Sequence, residues 1–161
     1  MKRVLSLMLA VVIAVTSLGF APAVFAEDTD GSAQVEGTGS ITAQGDGIAL
    51  LYGRGVVELE GNGILWIKDG AGDAIIRVTG TGNKKEFPDG WIQYSGYRGK
   101  AYIKGSRIGV VVAGTNIDLD ARGRGRCILW GHGRFDVNGR PGEWKATGFG
   151  ARIKLAAPDA S

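Results

Sequence analysis

Arg122, Arg124, Arg126, Trp130, His132 and Arg134 fall at alternate positions of the stretch RGRGRCILWGHGRFDVNGR. In an extended strand alternate residues share a face, so this spacing predicts one row of three arginines, then Ile128, Trp130, His132, Arg134 and Asp136. Guanidinium forks match carboxylate, sulfate and phosphate, and an indole stacks on a sugar face or on a guanidinium. The row is therefore a candidate binding face for an acidic glycan or another polyanion. A plainer arrangement competes with it: the arginines pair with Glu58, Glu60, Asp118 and Asp120 on neighbouring strands. In a third arrangement another sheet covers the face, and Ile128 and Trp130 join a second core.

The same stretch is poor in catalytic chemistry. His132 is the only histidine and Cys127 the only cysteine. A nucleophilic triad needs a nucleophile, a base and an orienting acid. Asp136 shares the row with His132, but no Gly-x-Ser-x-Gly elbow appears. A zinc site takes several His, Cys or acidic ligands. Glu58, Glu60, Asp118 and Asp120 could supply the paired carboxylates of glycoside hydrolysis, yet alternating acids on an outward strand face are ordinarily solvated. No catalytic residue, metal or cofactor is assigned, and the chain reads as a non-enzyme.

The elements that carry the row are written in glycine. Repeat units begin at glycines 37, 45, 53, 61, 70, 80, 96, 105, 114, 123, 131, 139 and 148, mostly eight or nine residues apart. That period is too short for helical repeats and fits short strands with turn signals between them. From 45 to 67 every odd position is apolar or glycine, whereas Asp46, Arg54, Glu58, Glu60, Asn62 and Lys68 are even. The same odd set, with Cys127 and Leu129 inward, recurs from 123 to 137. Parity flips after Gly105-Ser106 and across residues 69–72, as two-residue hairpins would require. It survives Gly45-Asp46-Gly47, Gly53-Arg54-Gly55 and Gly61-Asn62-Gly63, which fits either bulged turns or one strand bending at glycine. The expected fold is all-β, an antiparallel meander forming a sandwich or barrel, with a flattened β-solenoid of two units per coil as the alternative. A phosphate loop would need a helix after the glycines, and none follows. A calcium-binding repeat would need an aspartate in successive units, but Arg54 and Asn62 stand where Asp46 would recur.

YSGYRGKAYIKGSRIGVVVAG and GRCILWGHGRFDVNG, within roughly residues 37 to 150, resemble uncharacterised secreted bacterial β proteins rich in such repeats. The resemblance implies no activity and carries no functional residue across.

Lys2 and Arg3, the apolar VLSLMLAVVIAVTSLGF, and Val24 and Ala26 at −3 and −1 predict a signal peptide at 1–26. A flexible linker at 27–35, the repeat domain at 36–155 and a tail at 156–161 follow. Without Lys2 and Arg3, the 19 basic residues become 17 against 16 acids, so overall charge gives no reason to expect a nucleic-acid partner. The charge is unevenly placed: residues 27–96 hold 11 acids and 5 bases, residues 97–161 hold 5 acids and 12 bases. Aromatics Trp66, Tyr102 and Trp130 should point outward, and Cys127 should be buried. The sequence thus reads as an exported, periplasmic or extracellular, non-catalytic structural or interaction module. Expected partners are a second copy or an envelope component, alternatively an acidic glycan, with no stable membrane insertion after cleavage.

Overall fold

The structure, a computed structural model, describes residues 38–157. The expected leader at 1–26, the linker at 27–35 and residues 158–161 of the tail lie outside the described residues. Strands β1 (Gly39–Asp69), β2 (Ile75–Glu86), β3 (Trp91–Val137), β4 (Arg140–Glu143) and β5 (Ala151–Leu155) form one antiparallel ladder in the order β1-β3-β2, with β4 and β5 also on β3. There is no helix among the described residues.

β1 and β3 are 31 and 47 residues long. A straight strand of 31 residues would extend for about 100 Å, so both must bend. The register shows how. Gly53 pairs with Ile108 and also with Gly125, and Leu59 pairs with Ala101 and also with Leu119. Residues 39–45 and 55–61 of β1 share residues 117–123 as a neighbour, while 47–53 and 63–69 share 108–114. Alternate eight-residue segments therefore lie in the same layer, and each long strand steps from one layer to the other at every Gly-x-Gly. In lateral order, the first layer holds β4, 133–137, 39–45, 117–123, 55–61, 99–105 and the start of β2; the second holds β5, 125–131, 47–53, 108–114, 63–69, 91–95 and the end of β2.

The inward residues of both layers merge into a single core, including Ile41, Leu51, Leu65, Ile103, Val110, Leu119 and Leu129. The ladder ends at β2 on one side and at β4 and β5 on the other, so the sandwich form holds and the molecule does not close as a barrel. The chain does return after two units, as a flattened solenoid would. It returns onto a different strand in antiparallel register, whereas solenoid coils stack in parallel.

The corners need glycine because two backbones meet there without side chains between them. Gly53 and Gly55 lie opposite Gly125 and Gly123. Gly55 has φ +140°, and a Cβ on it would sit 2.8 Å from the Gly123 Cα and press on the Arg122 carbonyl.

β1 keeps its odd residues inward along its whole length, but β3 changes parity three times. At each place β3 has one residue more than its partner: Gly63 and Ile64 face Tyr97 and Ser95, Gly55 and Gly53 face Gly105 and Ile108, and Gly47 and Gly45 face Gly114 and Ile117. The expected hairpin at Gly105-Ser106 is thus a β-bulge in a continuous strand. An inserted residue flips the facing set just as a two-residue turn does. The third bulge is held by Asn116, whose φ is 53° and whose N–H donates to Asp46 Oδ1 at 2.7 Å.

Residues 69–72 are not a hairpin either, since β1 and β2 are not neighbours. Residues 70–74 carry the chain from the second layer to the first. The Asp69 carboxylate accepts the N–H groups of Ala74 at 2.9 Å, Gly72 at 2.7 Å and Ala71 at 3.2 Å. These bonds, Ala74 foremost, hold its pKa below the usual carboxylate range. A two-residue hairpin does occur at Asn138-Gly139, where Val137 pairs with Arg140 and both turn residues have positive φ, 52° and 80°, as a type I′ turn requires.

Cys127 is fully buried, as its parity indicates, and burial pushes its thiol up to about 12. Because the thiolate is the reactive form, the folded protein should resist a thiol reagent at pH 8 and react fully in guanidinium. Rapid stoichiometric labelling of the folded protein would contradict this packing.

Candidate functional site: an arginine corner and two unlike faces

The expected row does not stay on one face. Its strand passes two corners, at 123–125 and 131–133, so alternate residues keep pointing outward while the meaning of outward changes. Arg122 and Arg134 lie on the first layer, Arg124 at the corner, Arg126 and Trp130 on the second layer, and His132 at the opposite corner. Arg122, Arg124 and Arg126 remain together; Trp130, His132 and Arg134 do not join them.

Sequence reasoning missed a fourth member of the arginine group. Arg54, at the tip of Gly53-Arg54-Gly55, stands directly opposite Arg124. Arg54, Arg122, Arg124 and Arg126 line a shallow, solvent-open groove whose lining also includes Leu51, Val57 and Leu155. The glycines flanking both arginines allow this approach, and like charges placed directly opposite oppose folding. The signal was present in the repeat, since both corners read Gly-Arg-Gly, but only the register brings them together.

His132 occupies the other edge, opposite Asp46. It is exposed, and Asp46 Oδ1 accepts the Asn116 N–H. No hydrogen bond joins His132 to Asp46 among the described residues.

The outer face of the first layer is charged. Glu58 stands opposite Asp120 and Glu60 opposite Asp118, a block of four carboxylates on two adjacent strands. Lys100 Nζ meets Glu60 at 3.2 Å, Arg122 Nε meets Asp120 at 3.7 Å, and Gln44 Nε2 donates to Asp118 at 3.1 Å. The expected arginine–acid pairing is realised at Arg122, along its own strand rather than across. These exposed ion pairs add little stability individually. The four acids do not converge on a set able to hold a metal ion.

The outer face of the second layer is apolar. One cross-strand row reads Trp130, Ile48, Ala113, Ile64; the next reads Ile128, Leu50, Val111, Trp66; the third reads Tyr52, Gly109, Lys68, Trp91. Ile48 is 38 % exposed, Ile64 40 %, Trp130 42 % and Tyr52 56 %. Of the aromatics expected to face outward, Trp66 and Trp130 share this layer, whereas Tyr102 faces out beside Glu58 on the first. Trp66 stacks on Phe87 at 5.2 Å and meets Trp91 edge-on at 6.1 Å, which closes one margin of the face.

No protein-family model, curated protein or solved structure matches this chain.

Proposed function

We propose that this is an exported, non-catalytic interaction module of the cell envelope or extracellular space, and that it meets its partner through the apolar outer face of the second layer. One observation carries the reading: the two outer faces of a single sandwich are unlike, one charged and one largely apolar across four neighbouring segments, with Trp91 at its margin. A monomer surface seldom leaves so much contiguous apolar area bare without using it. The candidate polar groups sit on an open groove, an exposed corner and a flat face, none of which excludes water as catalytic sites commonly do.

A second reading rests on Arg54. Its approach to Arg122, Arg124 and Arg126 concentrates positive charge at one corner, which suits an acidic glycan or other polyanion.

Two variant pairs separate these readings in the chain from Glu27, which contains every described residue. Ile48→Asp with Ile64→Asp should leave the melting temperature within a few degrees, since both side chains are partly solvated, and should abolish retention by the envelope fraction of the producing cells or any self-association seen by light scattering. Arg54→Glu with Arg124→Glu, both at the corner and outside the face, should spare that behaviour and weaken retention on a polyanion column. A face variant that behaves as wild type in envelope retention and solution mass would overturn the first reading, and a corner variant that elutes as wild type would overturn the second.

A further inference from the structure

Resting on the reading that the apolar face is the working surface, we propose that its partner is an anionic lipid surface, to which the module attaches peripherally. The face spans five strand segments and about three outward residues along each. At the usual strand spacings this footprint, Lys68, Gln93, Ser95 and Arg126 included, is roughly 400–500 Å², within the range of the largest patch a monomer leaves exposed, which is often functional.

Its rim is basic. Arg126 and Lys154 end one cross-strand row, Arg152 and Lys85 lie at opposite ends of another, and Lys68 stands beside Trp91. No Asp or Glu shares the outward parity of this layer's strand segments; Glu86, exposed on the edge strand with the opposite parity, is ion-paired with Lys84 at 2.6 Å. The acids cluster on the other layer instead.

Three of these rim cations are seated on aromatic rings. Lys68 Nζ lies 5.5 Å from the Trp91 centroid, Lys85 Nζ lies 4.8 Å from Phe87, and the Arg152 guanidinium lies 4.6 Å from Phe149. Aliphatic side chains thus fill the centre, aromatic rings stand at the margins, and positive charge lies outside them. This is the order a bilayer surface presents in reverse: hydrocarbon, then the interfacial zone favoured by indole and phenol rings, then phosphate. Basic residues near an anionic leaflet add attraction that falls off within a Debye length.

Charge decides against a second copy. A twofold pairing places the same patch on both partners, so two basic rims would meet. An anionic bilayer supplies both the apolar interior and the opposite charge.

The test mixes the chain from Glu27 with vesicles of phosphatidylcholine alone or phosphatidylcholine with phosphatidylglycerol, and reads co-sedimentation and the tryptophan emission maximum. Wild type should bind the phosphatidylglycerol vesicles, shift its emission to shorter wavelength and detach as salt rises. Lys85→Glu with Arg152→Glu should weaken partitioning at least about tenfold. Ile48→Asp with Ile64→Asp should abolish it at an unchanged melting temperature; should that pair fail to fold, the rim pair alone decides. Absence of binding to either vesicle at low salt overturns the lipid assignment. So does binding that survives the face and rim variants but is lost in Arg54→Gln, which would assign the attraction to the corner. If vesicles are ignored while Ile48→Asp with Ile64→Asp still abolishes envelope retention or self-association, the lipid assignment fails and the interaction module stands. If the face variant changes nothing in any assay, both fail.

Discussion

Gly63→Ala should destabilise the domain by at least ~3 kcal/mol, lowering the melting temperature by about 10 °C or more, while Gly61→Ala in the same Gly-Asn-Gly unit should be neutral or slightly stabilising. The two glycines look equivalent in the repeat. Gly63 has φ +148°, and a Cβ there would press on the Ala113 carbonyl and stand 2.8 Å from the Gly114 Cα. Both obstacles are backbone held in a ladder, so neither can give way without breaking the corner. At Gly61 the nearest atom to an added Cβ is the Ile117 Cα at 3.6 Å, an ordinary contact, and the backbone is not in the left-handed region. There alanine mainly restricts the unfolded chain, which favours folding by up to about 1 kcal/mol. Thermal melts of the two variants side by side check the difference. Equal melting temperatures would mean that the backbones at the Gly63–Gly114 corner can part to admit a methyl group.

Tyr97→Ala should cost about 3–5 kcal/mol, as truncating a fully buried aromatic usually does. Tyr97 is 1 % exposed and belongs to the core, turned inward by the bulge at Gly96, whose φ is 65°. Its hydroxyl donates to the Leu59 carbonyl at 3.4 Å, a long bond, so Tyr97→Phe should cost no more than about 1 kcal/mol. Burial, aided by the charge of Glu60, raises the phenol from 10.0 to about 12. The unfolded chain therefore ionises first. The stability contributed by the neutral phenol is complete below pH 10 and is lost as pH rises towards 12. Cys127, raised from 9.0 to about 12, acts in the same direction. Denaturant melts between pH 9 and 12 should show falling stability, less steeply in Tyr97→Phe. An identical slope in the two proteins would show that the phenol does not titrate as a buried group.

The sequence by itself determined the alternation. A strand has a period of two whatever it pairs with, so Leu51, Leu59, Leu65, Cys127 and Leu129 could be placed inward, and Arg126 and Trp130 outward, from their numbers alone. It also determined that the fold is all-β and punctuated by glycine, because glycine at this density excludes helix. The turn at Asn138-Gly139 was legible from its two residues, although the alternation passed over it.

Pairing was decided only by tertiary structure. A bulge and a hairpin flip parity alike, so Gly105-Ser106 could not be assigned without knowing that β1 runs past it unbroken. A glycine that bends a strand and one that ends it are the same residue, so the row from Arg122 to Arg134 looked like one face until its corners wrapped it around two layers. Arg54 and Arg124 lie 70 residues apart in the chain, and their opposition depends on a register that no local pattern encodes. The apolar character of the second layer was hidden for the same reason. Ile48, Val111 and Ile64 stand at outward positions of segments distant in the chain, and only the lateral order of the strands joins them with Ile128 and Trp130 in one surface.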